Sequence, residues 1–160
     1  MTAYFLPTWR LRRELRQVAK RGGRVQLMTA GKSDVALSQL ASRWLYSTLL
    51  RSGVEIFEYL PQMLHAKMIV LDDTVYAGSA NMDTRSLLIN YEVLVRLEDP
   101  ALAREAGAMF DADLQRCRRI EAGLWRRSRT CWSKLLESWS YFLLAKLDLL
   151  VARFQLKILR

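Results

Sequence analysis

The chain has 160 residues, of which 51% are hydrophobic and 26% are charged, and its formal net charge is +9 at pH 7. This composition predicts one globular domain with a core of its own and excludes a disordered chain. The positive charge favours anionic partners, either phospholipid headgroups or nucleic acid. The basic residues concentrate at 10–24 and 116–134 without the interleaved aromatic and base-reading side chains of a nucleic-acid module.

Alternating helix and strand patterns run through the first half of the chain. Residues 4–7 predict the end of an extended segment, and Thr8 caps a helix to about Arg21 that Gly22 and Gly23 end. The next predicted elements are a strand at 24–29, a loop at 30–34, a helix to about residue 51 with Ser33 or Asp34 as its cap, and strands at 54–59, 68–71 and 75–77. This alternation predicts an α/β fold, a mixed β-sheet flanked by helices.

The second half of the chain is predicted to hold a strand, a helix and a helical tail. The strand covers residues 90–97, and the helix runs from about Ala101 to Arg119 with Pro100 near its start. From Trp132 to Leu159 apolar residues recur at a helical period, interrupted by charges. This tail is either an amphipathic interfacial helix or a helix packed on a missing portion of this protein or on a partner.

Other sequence features set limits on the chemistry. Cys117 and Cys131 fit neither a metal-site spacing nor a disulfide framework, so two reduced thiols are expected. No signal peptide is predicted, because residues 1–7 are few and lack a basic segment. The longest uncharged run of the tail, residues 138–145, is far shorter than the roughly 20 residues of a membrane-spanning helix.

The segment at 64–92, LHAKMIVLDDTVYAGSANMDTRSLLINYE, holds the only histidine of the chain. On an extended strand, residues two apart face the same side, so His65 and Lys67 project together. The segment supplies the imidazole of His65 and the ammonium group of Lys67. It also supplies neutral donors, Ser79 and Asn81, beside Gly78. Two carboxylates, Asp72 and Glu92, complete the set. These groups are the ones needed to attack a phosphodiester and to stabilise the charge that develops.

Each of these residues alone also has an ordinary structural explanation. A single histidine is more often a surface or core residue than a nucleophile, and Lys67 can be a solvated strand residue. Gly78 can be a turn glycine and Asn81 a helix cap. The occurrence of all of them in one order favours the functional interpretation.

The order His-x-Lys-x4-Asp, followed by Gly-Ser-x-Asn, resembles the HKD motif of the phospholipase D superfamily. The string NMDTRSLLINYE is most similar to the second motif of bacterial cardiolipin synthases. Five residues separate Asp72 from the Gly-Ser pair where the family usually has six, so the hairpin is one residue shorter. The resemblance implies a phospholipase D-like half-domain at 1–119 and a basic amphipathic helical tail at 120–160.

The resemblance also implies a reaction. It is a two-step transfer of a phosphatidyl group through a phosphohistidine, with phosphatidylglycerol as substrate and with no metal or other cofactor. Lys67, Asn81 and Ser79 would hold the non-bridging oxygens, beside the close approach that Gly78 permits. Glu92 would accept a hydrogen bond from the imidazole, and Asp72 would organise the hairpin. The expected location is the cytoplasmic side of a bacterial membrane, with nucleic acid not expected as a partner.

One histidine is not enough for this reaction. In-line displacement at phosphorus needs a nucleophile on one side and a proton donor on the other. A second HKD motif is therefore expected, either from a missing N-terminal half or from a second copy in a homodimer. Two alternatives are a homodimeric nuclease or phosphodiesterase of the same superfamily and a non-catalytic, membrane-bound half-domain.

Overall fold

The computed structural model describes residues 1–147. In chain order the elements are β1 (Phe5–Leu6), α1 (Trp9–Lys20), β2 (Gln26–Ala30), α2 (Ala36–Leu50), β3 (Glu55–Tyr59), β4 (Met68–Leu71), β5 (Thr74–Gly78), β6 (Met82–Asp83), α3 (Thr84–Leu88), β7 (Leu94–Glu98), α4 (Pro100–Leu114), β8 (Cys117–Ile120), α5 (Ala122–Ser128), α6 (Cys131–Phe142) and a π-helical turn (Leu143–Leu147). Within residues 1–147, no helix has both the length and the apolar character required to cross a membrane.

The strands form three small sheets. In the first, β2 pairs parallel to β3, and β8 pairs antiparallel to the other edge of β3. In the second, β4, β5 and β7 form an antiparallel meander in that order. The third joins β1 and β6 in parallel. The predicted α/β fold, with mixed β structure flanked by helices, is confirmed.

Helices cover both faces of the β structure. On one face Leu27 and Ile56 pack with Leu45, Tyr46 and other side chains of α2. On the other face the neighbouring strand residues Met28 and Tyr59 pack with side chains of α4. Successive strand residues point to opposite faces, and both faces are covered, so four of the five residues in β2 and in β3 are buried.

Local signals place several elements where the sequence predicts them. The hydroxyl of Thr8 accepts from the backbone N–H of Leu11 and caps α1. The chain leaves α1 through Gly22, whose φ of +89° lies in the left-handed region that favours glycine. Gly53, with a φ of +90°, performs the same function after α2.

Three sequence predictions of local structure are wrong. The helix predicted to reach Arg119 ends at Leu114, and β8 follows it. The helix α2 has Val35 as its N-cap, without a side-chain cap from Ser33 or Asp34. The strand predicted at 90–97 begins only at 94, so Glu92 lies in the preceding loop.

The helix α6 packs on α2 of the same chain. The rings of Trp44 and Tyr141 stack with centroids 4.1 Å apart. Glu137 is buried and pairs with Arg129, which also donates to the hydroxyl of Ser47 at 2.8 Å. The opposite face of α6 is an exposed apolar stripe made of Trp132, Leu135, Leu136, Trp139 and Phe142. The rest of the predicted tail, residues 148–160, lies outside the described residues.

Candidate active site

The start of β4 and the end of β5 bring the two parts of the motif to one edge of the antiparallel sheet. His65 and Lys67 lie in the segment before β4, and the carbonyl of Lys67 accepts from the N–H of Gly78 at 3.3 Å. The N–H of Ser79 donates to the carbonyl of Val93 at 2.9 Å, and the N–H of Val93 donates back to the Ser79 hydroxyl at 3.0 Å. These bonds hold the loop that carries Glu92 beside the histidine segment.

Gly78 makes the contact between β5 and the start of β7 possible. A Cβ atom at this position would lie 2.0 Å from the carbonyl oxygen of Val93 and 3.0 Å from the Cα of Leu94. Any other residue would push the two strands apart and displace the Ser79–Val93 bonds. The glycine therefore allows the two strands to pack closely, and this packing fixes the position of Glu92.

Glu92 and Lys67 form the charged part of the site. The Glu92 carboxylate accepts from the Ser79 hydroxyl and, at 3.3 Å, from the amide of Asn90. The Ser79 bond is the main cause that lowers the pKa of Glu92, and the charge of Lys67 acts in the same direction. Partial burial lowers the pKa of Lys67, while Glu92 opposes that effect.

The imidazole of His65 is exposed at this edge. The ammonium group of Lys67 donates to the backbone carbonyl of His65 at 2.7 Å, which fixes the two residues relative to each other. Among the described residues no hydrogen bond joins the imidazole to Glu92, so the tautomer-fixing function of Glu92 stays a prediction.

Asn81 is buried and tied to the N-terminal segment. Its Oδ1 accepts from the backbone N–H of Tyr4 at 3.3 Å and lies 3.3 Å from the hydroxyl of Thr2. A backbone N–H can only donate, so this contact requires the oxygen of the amide on that side. The orientation leaves the two Nδ2 hydrogens for another acceptor. Thr2 is thus a positioning residue, and it also accepts from the N–H of Met82 at 3.1 Å.

Two further polar residues lie at the site and were not predicted. The hydroxyl of Tyr4 donates to Asp34 at 2.6 Å, which raises the pKa of Tyr4 to about 12 and lowers that of Asp34. His65 contributes to the lowered pKa of Asp34, so the loop at 30–34 reaches the rim of the site. No sequence pattern connects a tyrosine with an aspartate thirty residues later, and only the fold reveals the pair.

Asp83 is a third residue without a predicted role. It caps α3 by accepting from the N–H of Ser86 at 2.9 Å, and burial raises its pKa. Aspartate is one of the preferred N-cap residues, so Asp83 directly before α3 is the local signal that predicts this cap. Asp83 also lines a cavity of about 170 Å³ whose other walls include Tyr4, Leu6, Arg85, Leu144 and Ala145.

Asp72 lies apart from the other predicted residues. It occupies the turn between β4 and β5 with a φ of +50° and is exposed. The four residues of β4 separate it from Lys67, at about 3.3 Å per residue. It is therefore at the far end of the hairpin, where it shapes the turn. Within residues 1–147, no group of three or more His, Cys, Asp or Glu side chains could hold a metal ion.

Comparisons of the whole fold define the class of protein. The structure resembles a phospholipase D family member, Nuc from Salmonella typhimurium, with a TM-score of 0.63 and 21% identity over 74% of this chain and 78% of that one. It also resembles NucT from Helicobacter pylori, with a TM-score of 0.58 and 25% identity over 74% of this chain and 79% of that one. The fold is that of the phospholipase D family.

Sequence comparison specifies the family. The chain belongs to the phospholipase D-like domain family of cardiolipin synthase, whose model matches residues 1–114. A probable cardiolipin synthase, YwiE of Bacillus subtilis (strain 168), is 35% identical over 128 residues, which are 79% of this chain and 26% of the relative. Cardiolipin synthase A of Salmonella arizonae is 32% identical over 142 residues, 88% of this chain and 29% of the relative. The chain therefore spans only 26% to 29% of the length of these relatives.

Proposed function

We propose that this chain is the C-terminal catalytic half of a phosphatidyl transferase of the phospholipase D type, which converts two molecules of phosphatidylglycerol to cardiolipin and glycerol. The observation that carries the proposal is the convergence of the His65–Lys67 segment, Ser79 and Glu92 at one edge of the antiparallel sheet. The family match and the names of the relatives support the lipid substrate.

The proposed reaction has two steps and two imidazoles. In the first step one imidazole attacks the phosphatidyl phosphorus, a P–N bond forms, the P–O bond to glycerol breaks, and the other imidazole gives its proton to the glycerol oxygen. In the second step a hydroxyl of another phosphatidylglycerol gives its proton to that imidazole, its oxygen forms a new P–O bond, and the P–N bond to the first imidazole breaks. The resemblance of this motif to the second motif of the family favours the acid–base position for His65.

The neighbouring side chains stabilise the charge on the non-bridging oxygens. Lys67 supplies a cation that is half-buried, where its charge acts through less water than at an open surface. Asn81 supplies Nδ2 hydrogens, because its oxygen is engaged by Tyr4 and Thr2. The Ser79 hydroxyl donates to Glu92 in this structure, so Ser79 acts by orienting that carboxylate.

The second imidazole must come from another motif. The relatives are more than three times as long as the region they share with this chain, which favours an upstream half of the same polypeptide. We therefore assign the second HKD motif to an N-terminal half, and phosphatidylglycerol to the space between the two halves.

We place the enzyme at the cytoplasmic surface of a bacterial membrane. The exposed stripe of α6 carries two tryptophans and three other large apolar side chains, and the chain has a net charge of +9. Tryptophan and basic residues are typical of helices that lie at the headgroup level of anionic membranes. This stripe would bring the site close to its lipid substrate.

The second candidate function is a phosphodiesterase that works as a homodimer. It is favoured by the lengths of the solved structures with the same fold, because this chain covers 78% and 79% of them. In such a dimer two copies of His65 would face each other across a two-fold axis.

A substrate test separates the two candidates. The chain alone, and the chain joined to a half that carries a second HKD motif, are incubated with phosphatidylglycerol vesicles and separately with DNA. The proposal predicts cardiolipin and glycerol in equal amounts from the two-motif protein. Cleavage of DNA by the isolated chain, without turnover of phosphatidylglycerol by either protein, would establish the second candidate instead.

A further inference from the structure

A groove of about 220 Å³ runs between α1 and α2. Arg12, Arg13 and Arg16 line it from α1, because residues three and four apart lie on one face of a helix. Leu45 and Leu49 of α2 line it from the other side and are buried. Among residues 1–147, the lining therefore contains three cations and no carboxylate, and this charge favours an anionic ligand.

Two sets of contacts fix the groove at its ends. At one end the guanidinium group of Arg12 lies over the ring of Tyr141 in α6, 5.5 Å from its centroid, and Trp44 of α2 stacks on the same ring. At the other end the Nε of Arg16 donates to the hydroxyl of Ser52 at 3.0 Å. Arg12 and Arg16 are about one helical turn apart, roughly 6 Å along the axis, so both can reach one phosphate between them.

These two arginines have donors to offer to a ligand. The Nε of Arg12 is buried and has no hydrogen-bond partner in the part of the chain that the structure describes. Arg16 uses its Nε for Ser52, which leaves its two terminal nitrogens for another acceptor. Buried polar atoms are nearly always paired in folded proteins, so an acceptor from a ligand would explain the state of Arg12.

The third arginine is engaged elsewhere. The Nε of Arg13 pairs with Glu14 at 3.2 Å, and its guanidinium group lies over the ring of Trp9, 5.2 Å from the centroid. The side chain of Arg13 is 51% exposed, and Trp9 is 63% exposed. Both therefore lie at the outer rim of the groove, and a phosphate between Arg12 and Arg16 needs neither of them.

The surroundings of the groove favour a lipid headgroup over a nucleic acid. The helices α1, α2 and α6 cover the same face of the β structure, because Leu15, Leu45 and Tyr141 pack in one core cluster. The groove thus belongs to the helix layer that also carries the exposed apolar stripe of α6. It has room for one small headgroup, whereas a nucleic-acid strand requires a channel with cations and stacking rings along its length.

We propose that the groove between α1 and α2 binds the phosphate of one anionic phospholipid headgroup, held by Arg12 and Arg16. The two guanidinium groups donate to the non-bridging oxygens of that phosphate. The site is separate from the HKD motif, whose residues do not line the groove. It binds a lipid that is not transformed, so it does not depend on the proposed reaction.

The test measures binding of the full chain to vesicles of phosphatidylglycerol and, separately, of phosphatidylcholine by co-sedimentation. Thr48→Glu places a carboxylate in the groove, where it competes with the phosphate for the arginines. Arg16→Gln removes one of the two arginines and leaves Arg12 on Tyr141. The matched control is Arg10→Gln, at an exposed position of α1, because all three changes lower the net charge by one. The unfolding midpoint of each variant shows that it folds, and Arg16→Gln carries the prediction if Thr48→Glu does not.

We expect both groove variants to weaken binding to phosphatidylglycerol vesicles by about tenfold and Arg10→Gln to weaken it by about twofold at most. Binding to phosphatidylcholine vesicles should be the same for all four proteins. Equal losses in the groove variants and the control would overturn the proposal.

Two further probes separate the possible sources of the phosphate. Glycerol phosphate in solution should bind much more weakly than the vesicles, because it lacks the membrane contact of α6. Equally tight binding of this soluble ester would overturn the assignment to a lipid. So would groove variants that lose binding to a DNA duplex while their binding to phosphatidylglycerol vesicles is unchanged.

Discussion

The buried amino group of Met1 makes the stability of the chain depend on pH. Burial lowers the pKa of this group from its ordinary value of 8.0 to about 5 in the folded protein. Between these values the unfolded chain binds more protons than the folded one, so the free energy of unfolding rises with pH from about 5 to 8. Above pH 8 the amine is neutral in both states, and this contribution is complete.

The size of the effect follows from the same pKa. A pKa lowered by about three, at about 1.4 kcal/mol per pKa unit, corresponds to about 4 kcal/mol between the two ends of this window. Urea unfolding at several pH values measures it, in protein whose Met1 is shown by mass to be retained. The matched control carries Gly-Ser-Gly-Ser before Met1, which moves the charge into solvent and keeps every other titrating group.

We expect the free energy of unfolding of the unextended chain to rise between pH 5 and 8 by up to about 4 kcal/mol more than that of the control. Identical pH dependence of the two proteins would refute the reasoning, because it would mean that the amine is hydrated in the folded state.

Three further predictions concern single positions. Gly78→Ala places a Cβ 2.0 Å from a backbone carbonyl and should cost about 2–4 kcal/mol in urea unfolding, whereas Gly107→Ala, where a Cβ meets no atom within 4 Å, should cost nothing. Thr2→Val should cost about 1–3 kcal/mol and lower transfer, because the half-buried N–H of Met82 loses the hydroxyl of the buried Thr2 as its acceptor, and Thr2→Ser should restore most of both. Trp139→Ser should weaken binding to anionic vesicles by about tenfold, and Trp9→Ser, at an equally exposed tryptophan, should not; equal losses would remove α6 as the contact.

The hairpin of the motif could be predicted from the sequence because its signals are local. Four apolar residues, two aspartates and a second β-rich run follow one another, and the structure places β4, the turn and β5 there. The cap of α1 at Thr8 and its glycine end were predictable for the same reason. Short-range backbone preferences decide these elements before any tertiary contact forms.

The strand β8 could not be predicted, because ion pairs across the sheet hold it. Arg118 pairs with Glu58, which is fully buried, and Arg119 pairs with Glu55 at 2.6 Å. Only Ile120 of this strand is buried. A run of arginines after a helical pattern predicts a longer helix. The segment is a strand instead because it pairs with the neighbouring strand β3.

The site shows the same limit. The residue types of the site and their order could be recognised in the sequence. Their contacts could not be predicted, because they depend on pairing between strands that are distant in the chain. Glu92 meets Ser79 because β5 and β7 pair, and Tyr4 meets Asp34 because β1 lies beside the loop that precedes α2. The covering of α2 by α6 likewise depends on the buried pair of Glu137 and Arg129.

The most direct test of the account is the transfer reaction with His65 altered. His65 is exposed, so His65→Ala should leave the circular dichroism and the unfolding midpoint unchanged. In a protein that carries both motifs, we expect this change to lower cardiolipin formation from phosphatidylglycerol by at least about a thousandfold. Transfer within twofold of the unaltered protein would show that this imidazole takes no part in the chemistry at phosphorus.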